Sequence, residues 1–464
     1  MTDTMNRWIA EWYADNDADI RALMRDVWEH PELGLDTEYA AKACAAFART
    51  HGFDNVLLKC AEDYDNTDAR VNTVVAEYGS GKPVIGIIGE LDALPGLGQN
   101  DTPSRSPKEG PGHGCGHCLM AGGSAAAACA LKYAMEKEGL KGTLRFIEAP
   151  AEEIGTGKGW LAKDGLFDDM DVALMWHAGA CDLDYDPRLS VAIYDVDFRF
   201  YGKTAHAAGQ PWNGRSSLDA VQLMNMGCEF LREHVVPGSY IHYNITDGGL
   251  VPNVVPDYAA VRYFFRSRSG MEGAKALYER ACKVADGAAL MTETTVEKHI
   301  RMTMPDLNYN IPLCRFLYES AKKIDLPQYT EEEMKFAREL YRNVMGQEAP
   351  ENDWEVLPMR LSEFHDHTDG VKSSATDASY MSYICPTMHS TGMGNLFQGP
   401  GHHWGLTCCA GTALGQKAAI AGYKALAQGA YDIYTHPEVT EEFWAYQKSL
   451  NLPPLDYSSL KKPE

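Results

Sequence analysis

Seven residues just past the first quarter of the chain, Gly112-His113-Gly114-Cys115-Gly116-His117-Cys118, hold two imidazoles and two thiols separated by glycine. Thiolate and imidazole together suit Zn, Mn or Co, and a helix start favours the thiolate form. The stretch that follows, Gly122-Gly123-Ser124 and on through Leu131, reads as a tightly packed helix of small residues. A second group is Glu152-Glu153, followed by Ile154-Gly155. Two adjacent carboxylates after a buried strand are costly without a cation. One can bind an ion while its neighbour takes a proton from water. Cys115 and Cys118 also have redox-pair spacing, or could form half of a structural zinc site. A second spaced Cys pair is missing, since Cys408-Cys409 has no spacer.

Such groups need strands and helix starts to hold them. Val71–Tyr78 and the almost wholly apolar Lys82–Gly89 read as strands, the second buried on both faces. That strand runs into Glu90-Leu91-Asp92, and functional groups of open α/β sheets collect at the carboxyl ends of strands. Leu144–Pro150 is a strand delivering Glu152 and Glu153, and Asp171–His177 is a strand ending in His177. Alternation of strands and helices predicts a mostly parallel central sheet in an α/β domain. After Asp186-Pro187 the pattern alternates apolar and polar residues, and a β-α-β-β-α-β order follows, with strands or helices at Leu189–Phe200, Ser216–Glu233, Ile241–Ile245, Tyr258–Arg266, Met271–Leu290 and Thr294–Met302. The expected domains are therefore a catalytic domain in two parts, 1–188 and 306–464, and an inserted α+β domain, 189–305. A capping box at Thr330-Glu331-Glu332-Glu333 opens a later helix, and a closing helix is expected over Ala410–Ala427.

A chain of 464 residues has ample core for such an arrangement. Its net charge of -23 argues against partners such as nucleic acid or an anionic membrane surface. The amino-terminal residues lack the pattern of a secretory signal, and the longest apolar run, around Ala121–Leu131, is short of a membrane span. Twelve cysteines are too sparse for a disulfide scaffold, which points to a reducing, cytoplasmic setting.

Motifs in order along the chain carry a family resemblance. They are His30-Pro31-Glu32-Leu33-Gly34 with Glu38, Gly89-Glu90-Leu91-Asp92-Ala93-Leu94-Pro95-Gly96-Leu97, His113-Gly114-Cys115-Gly116-His117, and Pro150-Ala151-Glu152-Glu153. His177, Gly202-Lys203-Thr204-Ala205-His206-Ala207-Ala208, Asn253-Val254-Val255-Pro256-Asp257 and Gly401-His402-His403-Trp404 complete the series. The chain resembles the di-metal amidohydrolases and exopeptidases that include aminoacylases and glutamate carboxypeptidases. The stretch ELDALPGLGQ and the Gly-His-x-Trp ending point to the aminobenzoyl-glutamate hydrolase branch.

The resemblance implies an α/β catalytic domain with an inserted lid that also dimerises. It implies two divalent metal ions per subunit, Zn or Mn with Co also suitable, bound by Cys115, His117, Glu153, His177 and His402. It gives Glu152 the role of general base, and Asp92 that of orienting a ligand. His206 matches a lid histidine that steadies the oxyanion in a partner subunit's site, and Asn253 a lid residue near substrate. Arg215, Arg262 and Lys203 are candidates for the substrate carboxylate, with an ordinary solvated side chain as the alternative reading of each. The implied reaction is hydrolysis of the amide bond of an N-acyl or N-aroyl amino acid, by a homodimer; the resemblance also allows a second, different subunit. A metallo-dipeptidase or deacetylase would share the site, and a catalytically silent binding homologue would have lost a ligand or base. Cys118 departs from the Asp or Asn usual after Gly-His. His403 beside His402 leaves the last ligand ambiguous by one position, and His365 and His367 match no motif of the family.

Overall fold

The computed structural model describes residues 4–66, 68–187, 190–366 and 375–461. The chain opens with α1 (Arg7–Glu29), whose Asn6 side chain caps the N–H groups of Trp8 and Ile9, and α2 (Glu38–Thr50). Strands β1 (Asn55–Lys59), β2 (Thr73–Ser80) and β3 (Val84–Glu90) lead to the long helix α3 (His117–Glu138). Then come β4 (Gly142–Ala149), α4 (Gly157–Lys163) and β5 (Val172–Gly179). The inserted segment carries β6 (Ala192–Tyr201), α5 (Ser217–Leu231), β7 (Ser239–Asp247), β8 (Tyr258–Ser267), α6 (Gly270–Thr292) and β9 (Thr295–Met304). The chain closes with α7 (Ile311–Ala321), α8 (Glu331–Met345), α9 (Ser379–Ile384), β10 (Thr387–Met393), α10 (Trp404–Ala410), α11 (Ala413–Thr435) and α12 (Val439–Ser449).

Two compact units result. The first comprises the described residues up to Pro187, those of Asn308–Thr368, and Met381–Pro454. Its six-stranded sheet has the order β1-β2-β4-β3-β5-β10, with β4, β3, β5 and β10 mutually parallel and β1 and β2 antiparallel at one side. Every residue of β3 is buried, as befits a central strand covered on both faces. Helix α3 is long and apolar enough to cross a membrane by length and composition alone, yet it is buried in the core along nearly its whole length. Its small residues let neighbours approach: a Cβ on Gly122 would meet Met24 of α1, and one on Gly123 would lie 2.2 Å from the Tyr423 ring of α11. The capping box at Thr330 and Glu333 forms as read from the sequence.

The second unit holds the rest of the described residues and a four-stranded antiparallel sheet of order β7-β8-β6-β9. Phe198, Phe200, Tyr263 and Phe265 face a core shared with Val221, Met224 and Leu277 of the two helices. On the opposite pleat face, Asp197 pairs with Arg262 and Asp195 with Arg301. The element order is β-α-β-β-α-β, as expected. The tail also packs here, through the Ser459 hydroxyl bonded to Thr303.

Sequence patterning missed β1 and β10. β1 is short, and β10 carries His389, Ser390 and Thr391 among its apolar residues. The closing helix is broken at Gly411-Thr412, so α11 begins later and runs further than expected. The strand expected to stop at Ile245 continues to Asp247 across a register shift.

The α3–α11 contact gives a stability test. Gly123→Ala should force the fully buried Tyr423 ring to move and cost about 1–3 kcal/mol. Urea unfolding should therefore show a lower midpoint with an unchanged slope.

Candidate metal centre

Three neighbouring parallel strands and one helix start converge at the same end of the first unit's sheet. β3 leads into Glu90 and Asp92, β4 into Glu152 and Glu153, and β5 contains His177. Cys115 and His117 flank Gly116, which caps α3 with φ of 89°. A Cβ at Gly116 would lie 2.7 Å from that of Ala178, so glycine is what lets the helix start approach β5 this closely.

Asp92 ties these elements together. It is buried, and its Oδ1 accepts the Glu152 N–H at 3.0 Å while Oδ2 accepts the Glu153 N–H at 3.1 Å. Its backbone carbonyl accepts the His117 Nδ1 proton at 2.7 Å. His177 Nδ1 donates likewise to the Ala178 carbonyl at 2.8 Å. Both rings are thus fixed in the Nδ1–H form, with Nε2 as the nitrogen offered to a cation.

Around these nitrogens the remaining donors gather. Cys115 Sγ lies 3.4 Å from His177 Nε2, and His402 Nε2 lies 3.5 Å from Glu153 Oε2. Two ligands of one zinc-like ion at tetrahedral or octahedral angles sit roughly 3.0–3.6 Å apart. The sets Cys115/His117/His177 and Cys115/Glu153/His402 each bring their ligand atoms within 4.8 Å of one another, and share the thiol. Among the described residues, buried His117 Nε2 and Glu153 Oε1 have no hydrogen-bond partner. The donor set therefore fits a pair of divalent ions.

The electrostatics agree with that chemistry. Burial pushes the Cys115 thiol up to about 12, against the pull of His117. Burial also raises Glu153, opposed by His117 and His402. His117 itself is raised, because Cys115 and Glu90 outweigh the burial that would lower it. Protons sit here where a metal could replace them, and metal binding at such sites releases protons.

The flanking residues have other tasks. His403 caps α10 by accepting the Gly405 N–H at Nδ1, 3.2 Å away, whereas His402 faces Glu153. His113 lies 3.1 Å from the Val27 carbonyl through Nε2, and burial drives it down to about 3, so it is neutral. Cys118 is buried within α3, and burial pushes its thiol up to about 12. Among the described residues no two cysteines form a disulfide. His365 pairs with Asp186 at 3.1 Å, and His367 falls outside the described residues. Ala151 and His402 both have left-handed backbone, φ 59° and 50°, unusual for residues with a Cβ and typical of strained functional sites.

The other expected residues lie in the second unit. His206 is exposed, and its Nδ1 accepts the N–H groups of Ala208 and Gly209 at 3.2 and 2.9 Å. Its Nε2 therefore carries the proton. Asn253 is exposed, with its carbonyl accepting the Ala207 N–H at 3.0 Å. Arg262 is paired with Asp197 at 2.8 Å and Arg215 with Glu293 at 2.8 Å, so each already faces a carboxylate.

Three residues near the centre were not singled out from sequence. Glu90 and Lys158 form an ion pair at 2.6 Å with both side chains fully buried. The ring of His389, on β10, lies 5.6 Å from that of His177. A glutamate closing a wholly apolar strand was a readable signal; Lys158 and His389 had none.

The model of peptidase family M20/M25/M40 matches residues 86–404. One of the p-aminobenzoyl-glutamate hydrolase subunits of Escherichia coli K12 is 33% identical over 439 residues, covering 90% of this chain and 89% of that one. The Xaa-Arg dipeptidase of Mus musculus is 31% identical, covering 67% and 69%. In structure, a dinuclear metal-binding M20 peptidase of Bacillus subtilis aligns with a TM-score of 0.59 at 19% identity, covering 90% of this chain and 98% of its own. The chain belongs to the peptidase M20/M25/M40 family, and it is a hydrolase acting on amide bonds.

Proposed function

We propose that the protein hydrolyses the amide bond of N-acyl or N-aroyl amino acids, aminobenzoyl-glutamate-like compounds among them, with two divalent ions in the Cys115 centre. The observation that carries this reading is the shared thiol: Cys115 belongs both to the set with His117 and His177 and to the set with Glu153 and His402. The name and coverage of the Escherichia coli relative support the substrate class. When bound, such ions acidify a shared water and polarise the amide carbonyl. Zn and Mn are the metals proposed, with Co as a substitute.

Glu152 is the proposed proton carrier. Its Oε2 lies 3.8 Å from His117 Nε2, and its backbone is pinned by Asp92. The carboxylate takes a proton from the attacking water and returns it to the departing amine. His206 has the right tautomer to donate from Nε2 to the developing oxyanion. Asn253 is proposed to line the substrate. Arg215 or Arg262 would meet the substrate carboxylate by exchanging its present carboxylate partner.

A homodimer formed through the inserted unit is part of the proposal. β7 is the edge of its sheet and leaves Tyr243 and Ile245 exposed. On α5, Met226 is 54% and Phe230 70% exposed. An unpaired strand edge with exposed apolar side chains suits self-association. Relatives named as subunits support testing for a second, different chain as well. A reducing, cytoplasmic setting is part of the proposal, supported by twelve cysteines too sparse for a disulfide scaffold.

Two outcomes are expected. Glu152→Gln should keep its metal and lose about 10²–10⁴-fold in kcat on aminobenzoyl-glutamate or the best substrate of an N-acyl amino acid and dipeptide panel. A fully active variant would remove Glu152 from the role of base, and a panel cleaved only at dipeptides would favour the dipeptidase reading. Separately, Met226→Asp/Phe230→Asp should convert a dimer to monomers in analytical ultracentrifugation. A monomeric parent protein would contradict the dimer.

A further inference from the structure

Glu90 is placed to do more than balance a charge. Its carboxylate is fully buried at the end of β3, with Oε1 held by Lys158 Nζ at 2.6 Å. Lys158, on α4, is fully buried too. The other oxygen, Oε2, points the opposite way: it lies 3.2 Å from His117 Nε2 and 3.9 Å from His177 Nε2. Those are the two nitrogens that the Nδ1 hydrogen bonds leave for a cation. With His117 in its Nδ1–H form, Glu90 Oε2 and His117 Nε2 are two acceptors facing each other, and among the described residues neither has a hydrogen-bond partner. A separation of 3.2 Å between two acceptors is bridged by a proton when His117 is charged, and is also the spacing of two ligands of one ion, which would replace that proton.

We propose that Glu90 is a direct ligand of the inner metal ion, positioned by Lys158. This rests on the two-ion reading above. That ion would draw on Cys115, His117 and His177, with Glu90 beside the two imidazoles; Glu90 also groups with His117 and Glu152. The outer ion would draw on Cys115, Glu153 and His402, and the His402 side chain is 59% exposed. Lys158 takes up Oε1 and fixes the carboxylate in one orientation, as outer partners of metal ligands do.

Glu90→Gln alone would take the carboxylate away from the buried Lys158 ammonium and could unfold the protein. The test therefore uses Glu90→Gln/Lys158→Met, which removes the pair at similar volume, and Glu90→Asp, which keeps the charge but withdraws the carboxylate by one methylene. Metal content by mass spectrometry, chelator competition and the visible spectrum of the cobalt-loaded protein are the readouts. Wild type should bind two ions. Each folded variant should hold one of them at least about 10–100-fold more weakly and show a changed cobalt spectrum. Variants that bind both ions with wild-type affinity and an unchanged spectrum would overturn the role of Glu90 while leaving the two-ion reading intact. A wild type that binds no ions would overturn both.

Discussion

Negative charge crowded around one imidazole is the constraint on which the first unit depends. Glu90, Asp92 and Glu152 each bring a carboxylate oxygen within 3.8 Å of a His117 nitrogen. Such a cluster, deep in the protein, is unfavourable unless cations or hydrogen bonds answer it. Asp92 is answered by two backbone N–H groups and Glu90 by Lys158. Left unanswered among the described residues are His117 Nε2 and one oxygen each of Glu90 and Glu153; His117 and Glu153 each share a group of possible ligands with the Cys115 thiol. The parallel strands, the glycine at the head of α3 and the small-residue packing behind it all serve to hold these groups together.

Close packing stands behind the site. α3 begins at His117 and is wedged between α1 and α11, with glycines where side chains would collide. Tyr423 of α11 reaches the carbonyls of Ile88 and Trp176, on the two strands that flank the centre. A shift of α3 would therefore move both Cys115 and His117 relative to β3 and β5. Donors held in place in this way suit the geometry that a metal ion demands.

Much of this was legible in the sequence because local chemistry and strand ends coincide. The run of apolar residues in β3 announces a buried strand, and the acidic groups after it announce a site. The order β-α-β-β-α-β of the inserted segment followed from alternation alone. What patterning could not reveal depends on distant partners. His389 looks like any polar residue in a short strand until β10 pairs beside β5. Lys158 looks like a surface lysine until Glu90 claims it. His402 and His403 are equivalent in sequence, and are separated only by a left-handed backbone at one and a helix cap at the other. Arg215 and Arg262 looked like open cationic groups, whereas Glu293 and Asp197 already face them.

Anomalous diffraction from crystals grown with Zn or Mn, collected at the metal edge, tests the central claim most directly. Two peaks are expected in the first unit, one among Cys115, His117 and His177, the other among Cys115, Glu153 and His402, with the Cys115 sulfur between them. Absence of any peak at these residues in metal-loaded, active protein would contradict the account.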